Sequence, residues 1–193
     1  MLRSLPRHPD HRLSARCGRP VGYGVYLYLV RHAVAHKRDA ERWPDDSERP
    51  LTPEGEEEFT GAARGLARVV PEVDVLLSSP YKRAWRTAEI LTQHAGWPAP
   101  LEFPALEPDV APEKAVLALE SYADRQSVAL VGHRPCLHEV AVYLLTGDSG
   151  GADMKIKKGG IVCIEFDDAP GAGAGKLRWL FTPKVLRLSA VSD

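Results

Sequence analysis

Tyr26-Leu-Tyr-Leu-Val-Arg31 is a compact apolar run of strand length, and it ends directly beside His32. A polar, proline-containing connection follows and extends to Pro50. Thr52-Pro53-Glu54 then supplies an N-cap, a proline at the first helical position and an early acid, which together predict a helix over residues 53–70. Because a buried strand followed by an amphipathic helix is the repeating unit of α/β proteins, we expect the same alternation further along the chain.

The remaining sequence continues this alternation. Strands are predicted over residues 73–78, 127–131, 161–166 and 177–182, and helices from Ser79-Pro80 to Ala95, over 112–125, and from Pro135 to Gly147. The pattern predicts a single-domain, three-layer α/β sandwich, in which helices flank a mostly parallel sheet. The last two strands should form a hairpin at a sheet edge. Their glycine-rich connection, residues 171–175, is expected to be a surface loop, because it lacks the Lys-Ser/Thr and helix N-terminus of a phosphate-binding loop.

Composition and charge limit the possible functions. A chain of 193 residues with 44% apolar content suits one domain with a real core. The formal net charge is −1, but residues 1–24 are strongly basic, so the remainder of the chain is acidic. An acidic body argues against a nucleic-acid partner, because binding of a phosphate backbone needs a broad basic surface.

Residues 1–24 are predicted to be a basic, disordered leader ahead of a domain over residues 25–193. The leader has no apolar stretch long enough for a signal-peptide core or a membrane span, so no membrane association is expected. A targeting peptide would also be basic, but an unfolded tail or a misplaced start codon is the favoured interpretation. The three cysteines lack the paired spacing of a disulfide or zinc framework, which suits a reducing cytoplasm: Cys17, Cys136 and Cys163.

Three segments place histidine or arginine where a predicted strand turns toward a helix. Arg31 and His32 follow the first strand, Arg83 follows the second, and His133 with Arg134 follows the strand that ends at Val131. In open parallel sheets the ligand crevice lies outside the carboxyl ends of the strands, so these side chains should converge there. Core packing would rarely place so many charged groups at strand ends, which favours a functional pocket.

The chemistry of these side chains suits phosphoryl transfer. The guanidinium groups of Arg31 and Arg83 can bind anionic oxygens bidentately and stay charged at every working pH. A neutral imidazole is a good nucleophile near pH 7, so His32 can attack phosphorus and hold the group as phosphohistidine until water hydrolyses it. His133, if protonated, could donate a hydrogen bond to the transferring oxygens and replace the charge neutralisation that magnesium supplies elsewhere. We therefore expect hydrolysis without a metal ion or other cofactor.

The same residues resemble the motifs of the histidine phosphatase superfamily, which includes the phosphoglycerate mutases. Leu29-Val-Arg-His-Ala33 resembles its Arg-His-Gly signature, and Ser78-Ser-Pro-Tyr-Lys-Arg-Ala84 its second-arginine motif. Arg49-Pro-Leu-Thr-Pro-Glu-Gly55 is similar to the start of the first long helix, and Val131-Gly-His133 to the second-histidine motif. The resemblance spans residues 26–182 and implies a phosphoglycerate mutase-like fold, with His32 as nucleophile and Arg31, Arg83 and His133 as the phosphate pocket.

The Gly-His-x-Pro-x-Leu form of residues 132–137 is most similar to SixA-type phosphohistidine phosphatases. Two positions depart from the pattern: Ala33 replaces the signature glycine, and Arg134 stands where SixA proteins commonly have asparagine. Neither change removes a catalytic atom. Arg134 either extends the positive surface or faces solvent.

The general acid is the least defined part of the predicted site. Larger members of the family use a carboxylic acid to protonate an alcohol leaving group, and Glu107 lies in the corresponding stretch after the second helix. Glu102 and Asp109 are close enough to compete, and a solvated loop acid is an equal alternative. A phosphohistidine substrate lessens the need for an acid, since an imidazole can leave already protonated on its other nitrogen.

Two other enzyme classes fit the sequence less well. A cysteine phosphatase needs an arginine six residues after its cysteine, where this chain has Tyr23, Val142 and Ala169. A metal hydrolase could recruit His32 and His36, but their spacing falls in a predicted loop without a carboxylate motif.

The substrate is inferred from the short helical connections. Large family members build a lid from an inserted helical subdomain, whereas only about 16 residues separate the second and third predicted helices here. The open pocket favours a phosphorylated protein, such as a histidine phosphotransfer domain, and thus a role in signal transduction. The alternatives are a phosphomonoesterase for a small sugar phosphate or nucleotide, and a catalytically weak regulator that binds a phosphorylated protein.

Overall fold

The computed structural model describes residues 24–190, which form a six-stranded sheet with helices on both faces. The strands are β1 (Val25–Arg31), β2 (Val75–Ser78), β3 (Leu101–Glu102), β4 (Ser127–Gly132), β5 (Ile161–Phe166) and β6 (Lys176–Phe181). The α-helices are α1 (Pro53–Val69), α2 (Lys82–Ala95), α3 (Pro112–Ala118), α4 (Cys136–Thr146) and α5 (Pro183–Ala190). Apart from Gly24, the predicted leader lies outside the described residues.

The sheet has the order β3-β2-β4-β1-β5-β6, and β1, β2, β3 and β4 are parallel. Strand β5 runs antiparallel to β1, and β6 pairs antiparallel with β5. The predicted mostly parallel sheet and the predicted C-terminal hairpin are therefore confirmed. Because β1, β2 and β4 are parallel neighbours, their carboxyl ends lie at one edge, where the sequence places its histidines and arginines.

Two apolar clusters define the three layers. On one face, α1, α2 and α5 bury side chains such as Phe59, Leu91 and Leu186 against the sheet. On the other face, α3 and α4 do so with Ala115 and Leu137. Alternate residues of β1 join opposite clusters, as expected for a strand buried on both sides.

Helix α5 lies close against α1 because Gly65 of α1 has no side chain. A Cβ atom at this position would collide with the carbonyl group of Leu186. At Gly61, one turn earlier, a Cβ atom would meet only the flexible side chain of Arg187, at 3.2 Å. The backbone contact at Gly65 thus fixes how closely the last helix packs.

The structure differs from the sequence prediction at four elements. Strand β3 and helix α5 were not predicted, because two residues show no periodicity and α5 buries only Leu186. Helix α3 ends at Ala118 and is followed by a 3₁₀ turn over Leu119–Tyr122, so the predicted extension to residue 125 is wrong. Helix α2 begins at Lys82 rather than at Ser79-Pro80, because the backbone of Tyr81 is not helical and Ser79 is buried in a contact described below.

Candidate active site

The end of β1 carries Arg31 and His32 into the centre of the sheet edge. The His32 N–H donates to the Gly132 carbonyl at 3.0 Å, so the pairing of β1 with β4 continues through the histidine. Arg31 is half-buried, and its Nη1 donates to the carbonyl of Ile156 at 2.8 Å. These contacts fix both residues at the point where β1 and β4 end.

A hydrogen bond sets the tautomer of His32. Its Nδ1 lies 2.7 Å from the carbonyl oxygen of Ala33, in a buried setting. Because a carbonyl oxygen only accepts, Nδ1 carries the proton and Nε2 keeps its lone pair. The Ala33 N–H in turn donates to Thr87 Oγ1 at 3.0 Å, and that hydroxyl donates to the Arg83 carbonyl at 2.7 Å. Helix α2 therefore holds the residue that orients the imidazole.

Arg83 lies in the first turn of α2 and is 3% exposed. Its Nη1 donates to the carbonyl of Asp46 at 2.7 Å, and its Nη2 lies 3.1 Å from Asp46 Oδ2. The guanidinium also lies over the Tyr81 ring, 4.9 Å from its centroid. Burial lowers the pKa of Arg83 to about 10, with Arg49 acting in the same direction and Asp46 opposing it. Arg83 is therefore a charged, fixed group at neutral pH.

His133 follows β4 and faces His32, with 5.1 Å between the ring centroids. Its Nε2 lies 2.9 Å from the Ser79 hydroxyl oxygen. Ser79 directly follows β2, so the ends of β1, β2 and β4 all contribute side chains to the same pocket. The structure thus brings together Arg31, His32, Arg83 and His133, as the sequence predicted.

Both histidines are neutral at neutral pH in the free protein. Burial lowers the pKa of His32 to about 3, and the charges of Arg83, Arg31 and Lys158 act in the same direction. Burial also lowers the pKa of His133 to about 2, together with the neighbouring His32 and Arg83. The expectation that His133 acts in protonated form therefore requires a bound anion, whose charge would raise this pKa.

Buried nitrogen atoms without a hydrogen-bond partner concentrate in this pocket. Within residues 24–190 there are four such side-chain atoms: Arg31 Nε, Arg83 Nε, His133 Nδ1 and His138 Nε2. An unpartnered buried polar group costs about 1–3 kcal/mol, so native proteins rarely keep several together without a ligand. Three of the four atoms belong to the predicted phosphate pocket.

The three candidate acids lie in different places. Glu107 is half-buried and follows the 3₁₀ turn Pro104–Leu106. Burial raises the pKa of Tyr81, and the negative charges of Glu107 and the exposed Asp109 raise it further. Because Tyr81 packs 5.0 Å from His133, Glu107 lies at the pocket's edge. Glu102 is exposed on the short edge strand β3.

Sequence reasoning missed several groups around the pocket. Asp46 binds both Arg83 and Arg49, Ser79 contacts His133, and Lys158 adds a positive charge near His32. Ser79 had a signal, since a polar Ser-Ser pair at the end of a buried strand suggests a functional contact. Asp46 and Lys158 lie in polar turns whose neighbours only the tertiary fold determines.

The described part of the chain was also searched for metal sites and membrane-spanning helices. Among residues 24–190, no three His, Cys, Asp or Glu side chains lie close enough together to hold a metal ion. His36, which a metal site would have needed, packs on Trp43 at 5.2 Å. None of the helices in this part of the chain is long and apolar enough to cross a membrane.

The fold and the cluster of two histidines and two arginines are typical of a phosphatase, and comparisons with known proteins identify the family. Residues 27–106 match the family model of the histidine phosphatase superfamily (branch 1). An uncharacterized protein of Picosynechococcus sp. (strain PCC 7002) is 34% identical over 138 residues, which cover 70% of this chain and 82% of that protein. This chain belongs to the histidine phosphatase superfamily.

Solved structures show the same fold. The protein histidine phosphatase SixA in complex with tungstate has a TM-score of 0.72 and 25% identity, over 84% of this chain and 99% of that one. The alpha-ribazole phosphatase of Shigella flexneri has a TM-score of 0.64 and 18% identity, over 82% of this chain and 97% of that one. The sheet and its flanking helices therefore have the phosphoglycerate mutase-like fold of the SixA structures.

Proposed function

We propose that this chain, over residues 25–193, is a protein phosphohistidine phosphatase in which His32 is the nucleophile. The observation that carries the proposal is the set of buried, unpartnered nitrogens on Arg31, Arg83 and His133 around a neutral His32. Phosphoryl oxygens would accept hydrogen bonds from all three residues. The similarity to SixA supports a protein substrate, and tungstate, bound in that structure, is a tetrahedral oxyanion like phosphate.

In this mechanism, the lone pair of His32 Nε2 forms a bond to phosphorus while the bond to the leaving group breaks. Arg31 and Arg83 bind the equatorial oxygens, whose charge grows in the transition state. With Ser79 as the donor to His133 Nε2, 2.9 Å away, the imidazole carries its proton on Nδ1, which has no protein partner and can donate to a phosphoryl oxygen. Water then attacks the phosphohistidine and releases inorganic phosphate.

The leaving group distinguishes this proposal from a small-molecule phosphomonoesterase. An imidazole departs as a neutral group when its other nitrogen is already protonated, so no acid is required. An alkoxide must be protonated, and Glu107, which is half-buried and whose charge acts on Tyr81, is the candidate for that task. The position of Glu107 is the observation that favours this second function.

Glu107→Gln tests the two functions directly. We expect the wild type to turn over a phosphohistidine protein and Glu107→Gln to change that rate only slightly, with Glu113→Gln, at an exposed acid of α3, as the matched control. Turnover of an alkyl phosphate should be slow in all three proteins. A strong alkyl phosphatase activity that falls by about 10²–10⁴ in Glu107→Gln, with negligible phosphohistidine turnover, would overturn the proposal.

The mechanism also requires no metal ion. Turnover should persist in EDTA, and vanadate should inhibit because its trigonal bipyramidal form resembles the transition state. Loss of all activity in EDTA that magnesium or zinc restores would contradict this part of the proposal.

A further inference from the structure

The turn over residues 157–160 is bound to the end of β1. The Gly159 N–H donates to the carbonyls of Arg31 and His32 at 2.9 and 3.1 Å, and the Arg31 N–H donates to the Gly160 carbonyl at 3.0 Å. Lys158 lies within this turn and is exposed. Its backbone is therefore fixed beside the predicted nucleophile, while its side chain remains accessible at the mouth of the pocket.

Arg134 approaches the same place from β4. It directly follows His133 and is exposed. Burial lowers the pKa of Arg31, and the positive charge of Arg134 lowers it further. Burial also lowers the pKa of Lys158, and the site's arginines add to this shift: Arg31, Arg49 and Arg83. Lys158 and Arg134 thus act on the site's cations from two different elements.

Carboxylates compensate only some of the cations around the pocket. Asp46 forms ion pairs with Arg83, Arg49 and Arg38. In the described part of the chain, Arg31, Arg134 and Lys158 form no such pair, and the charge of Asp153 acts on His138 instead.

A phosphoryl group held by Arg31 and Arg83 would leave Lys158 and Arg134 without a counter-charge. Clustered like charges destabilise a surface and attract anions, so the pocket mouth is complementary to more than one anionic group.

We infer that Lys158 and Arg134 form a second anion subsite, which binds carboxylates that flank the phosphorylated histidine of a protein substrate. The inference rests on the phosphohistidine phosphatase function proposed above. The short connection between α2 and α3, residues 96–111, leaves the pocket without an inserted helical lid, so an acidic protein surface can reach both side chains.

Two matched pairs of substrates test this subsite. The first pair is a phosphohistidine peptide with flanking Asp and Glu residues and the same peptide with Asn and Gln. The second pair is para-carboxyphenyl phosphate and phenyl phosphate. Hydrolysis of this pair does not depend on activity toward phosphohistidine. The proteins are the wild type, Lys158→Gln, Arg134→Gln and the control Lys155→Gln, which removes an exposed charge from the same segment.

We expect the wild type to prefer the acidic member of each pair in kcat/KM. Lys158→Gln and Arg134→Gln should each reduce that preference, up to about fivefold, through a higher KM, as for the loss of one solvent-exposed ion pair. Lys155→Gln should keep the preference. Equal losses on both members of a pair, or the same loss in Lys155→Gln, would overturn the inference.

The two pairs separate this inference from the proposed function. Failure to turn over either peptide, with a Lys158-dependent preference for para-carboxyphenyl phosphate, would overturn phosphohistidine specificity but retain the anion subsite. Turnover of both peptides without an acidic preference would overturn the subsite and retain the proposed function.

Discussion

The two arginines of the pocket are held in different ways. Arg83 is buried and bound by both the carbonyl and the carboxylate of Asp46, whereas the side chain of Arg31 is half-buried and donates to the Ile156 carbonyl. Both guanidinium groups are charged, but Arg83 has a carboxylate counter-ion, Asp46, whereas Arg31 forms no ion pair within residues 24–190. The difference indicates that Arg83 holds the phosphoryl group in a fixed geometry, whereas Arg31 supplies electrostatic attraction for the anionic substrate.

Replacement of either arginine should have the largest effect on turnover. Arg31→Ala and Arg83→Ala should each lower kcat/KM by about 10²–10³, as for the removal of one oxyanion donor. Arg83→Ala should be the more damaging, because it also exposes the pocket to the Asp46 carboxylate, which repels an anionic substrate. The measurement is steady-state kinetics with an aryl phosphate.

A double variant sharpens this comparison. Asp46→Asn in the Arg83→Ala background should restore part of the lost activity, because it removes the uncompensated carboxylate. The same Asp46→Asn change in the Arg31→Ala background should restore nothing. The same recovery of activity in both backgrounds would contradict the pairing of Asp46 with Arg83.

Packing of the body can be perturbed without touching the pocket. Gly65→Ala places a Cβ atom against the Leu186 carbonyl and should lower the free energy of unfolding by about 1–3 kcal/mol. Gly61→Ala is the control, since only the Arg187 side chain must move and alanine favours a helix. Urea denaturation measures both. A Gly65→Ala protein as stable as the wild type would show that α5 does not pack as described.

The buried histidines predict a specific dependence of stability on pH. The folded-state pKa values of His32 and His133, about 3 and about 2, lie below the usual 6.5. Between these values and 6.5 the unfolded chain binds protons that the folded chain does not, so stability falls on acidification through this window. Each histidine contributes a slope of up to about 1.4 kcal/mol per pH unit.

His133→Gln removes one of these two titrations. The free energy of unfolding, measured by denaturation between pH 7 and pH 5, should therefore change less with pH in His133→Gln than in the wild type. Unchanged slopes would mean that His133 does not resist protonation in the folded state.

The class of fold and the convergence of four side chains at one sheet edge could be predicted from the sequence: Arg31, His32, Arg83 and His133. Strand-length apolar runs, the Thr52-Pro53 helix start and the histidines and arginines at strand ends are local signals, and each predicted element that carries one of these residues is present. The parallel order of β1, β2 and β4 then brings the ends together by topology alone.

The groups that support the site could not be predicted in the same way. Asp46 binds Arg83 across 37 residues of chain, and Ser79 contacts His133 across 54. Such contacts depend on how loops pack over the sheet edge, for which the sequence has no periodic signal. Ser79 is an example: its Ser-Pro pattern predicted the start of a helix, whereas its hydroxyl contacts His133 in the structure.

The most direct test of the account is the identity of the phosphorylated residue. Brief reaction with a phosphohistidine protein or an aryl phosphate, followed by rapid denaturation at alkaline pH and mass spectrometry, should locate an acid-labile phosphoryl group on His32. His32→Ala should form no phosphoenzyme, whereas Arg83→Ala should still form it slowly. Phosphate trapped on any other residue, or full activity in His32→Ala, would contradict the central role of His32.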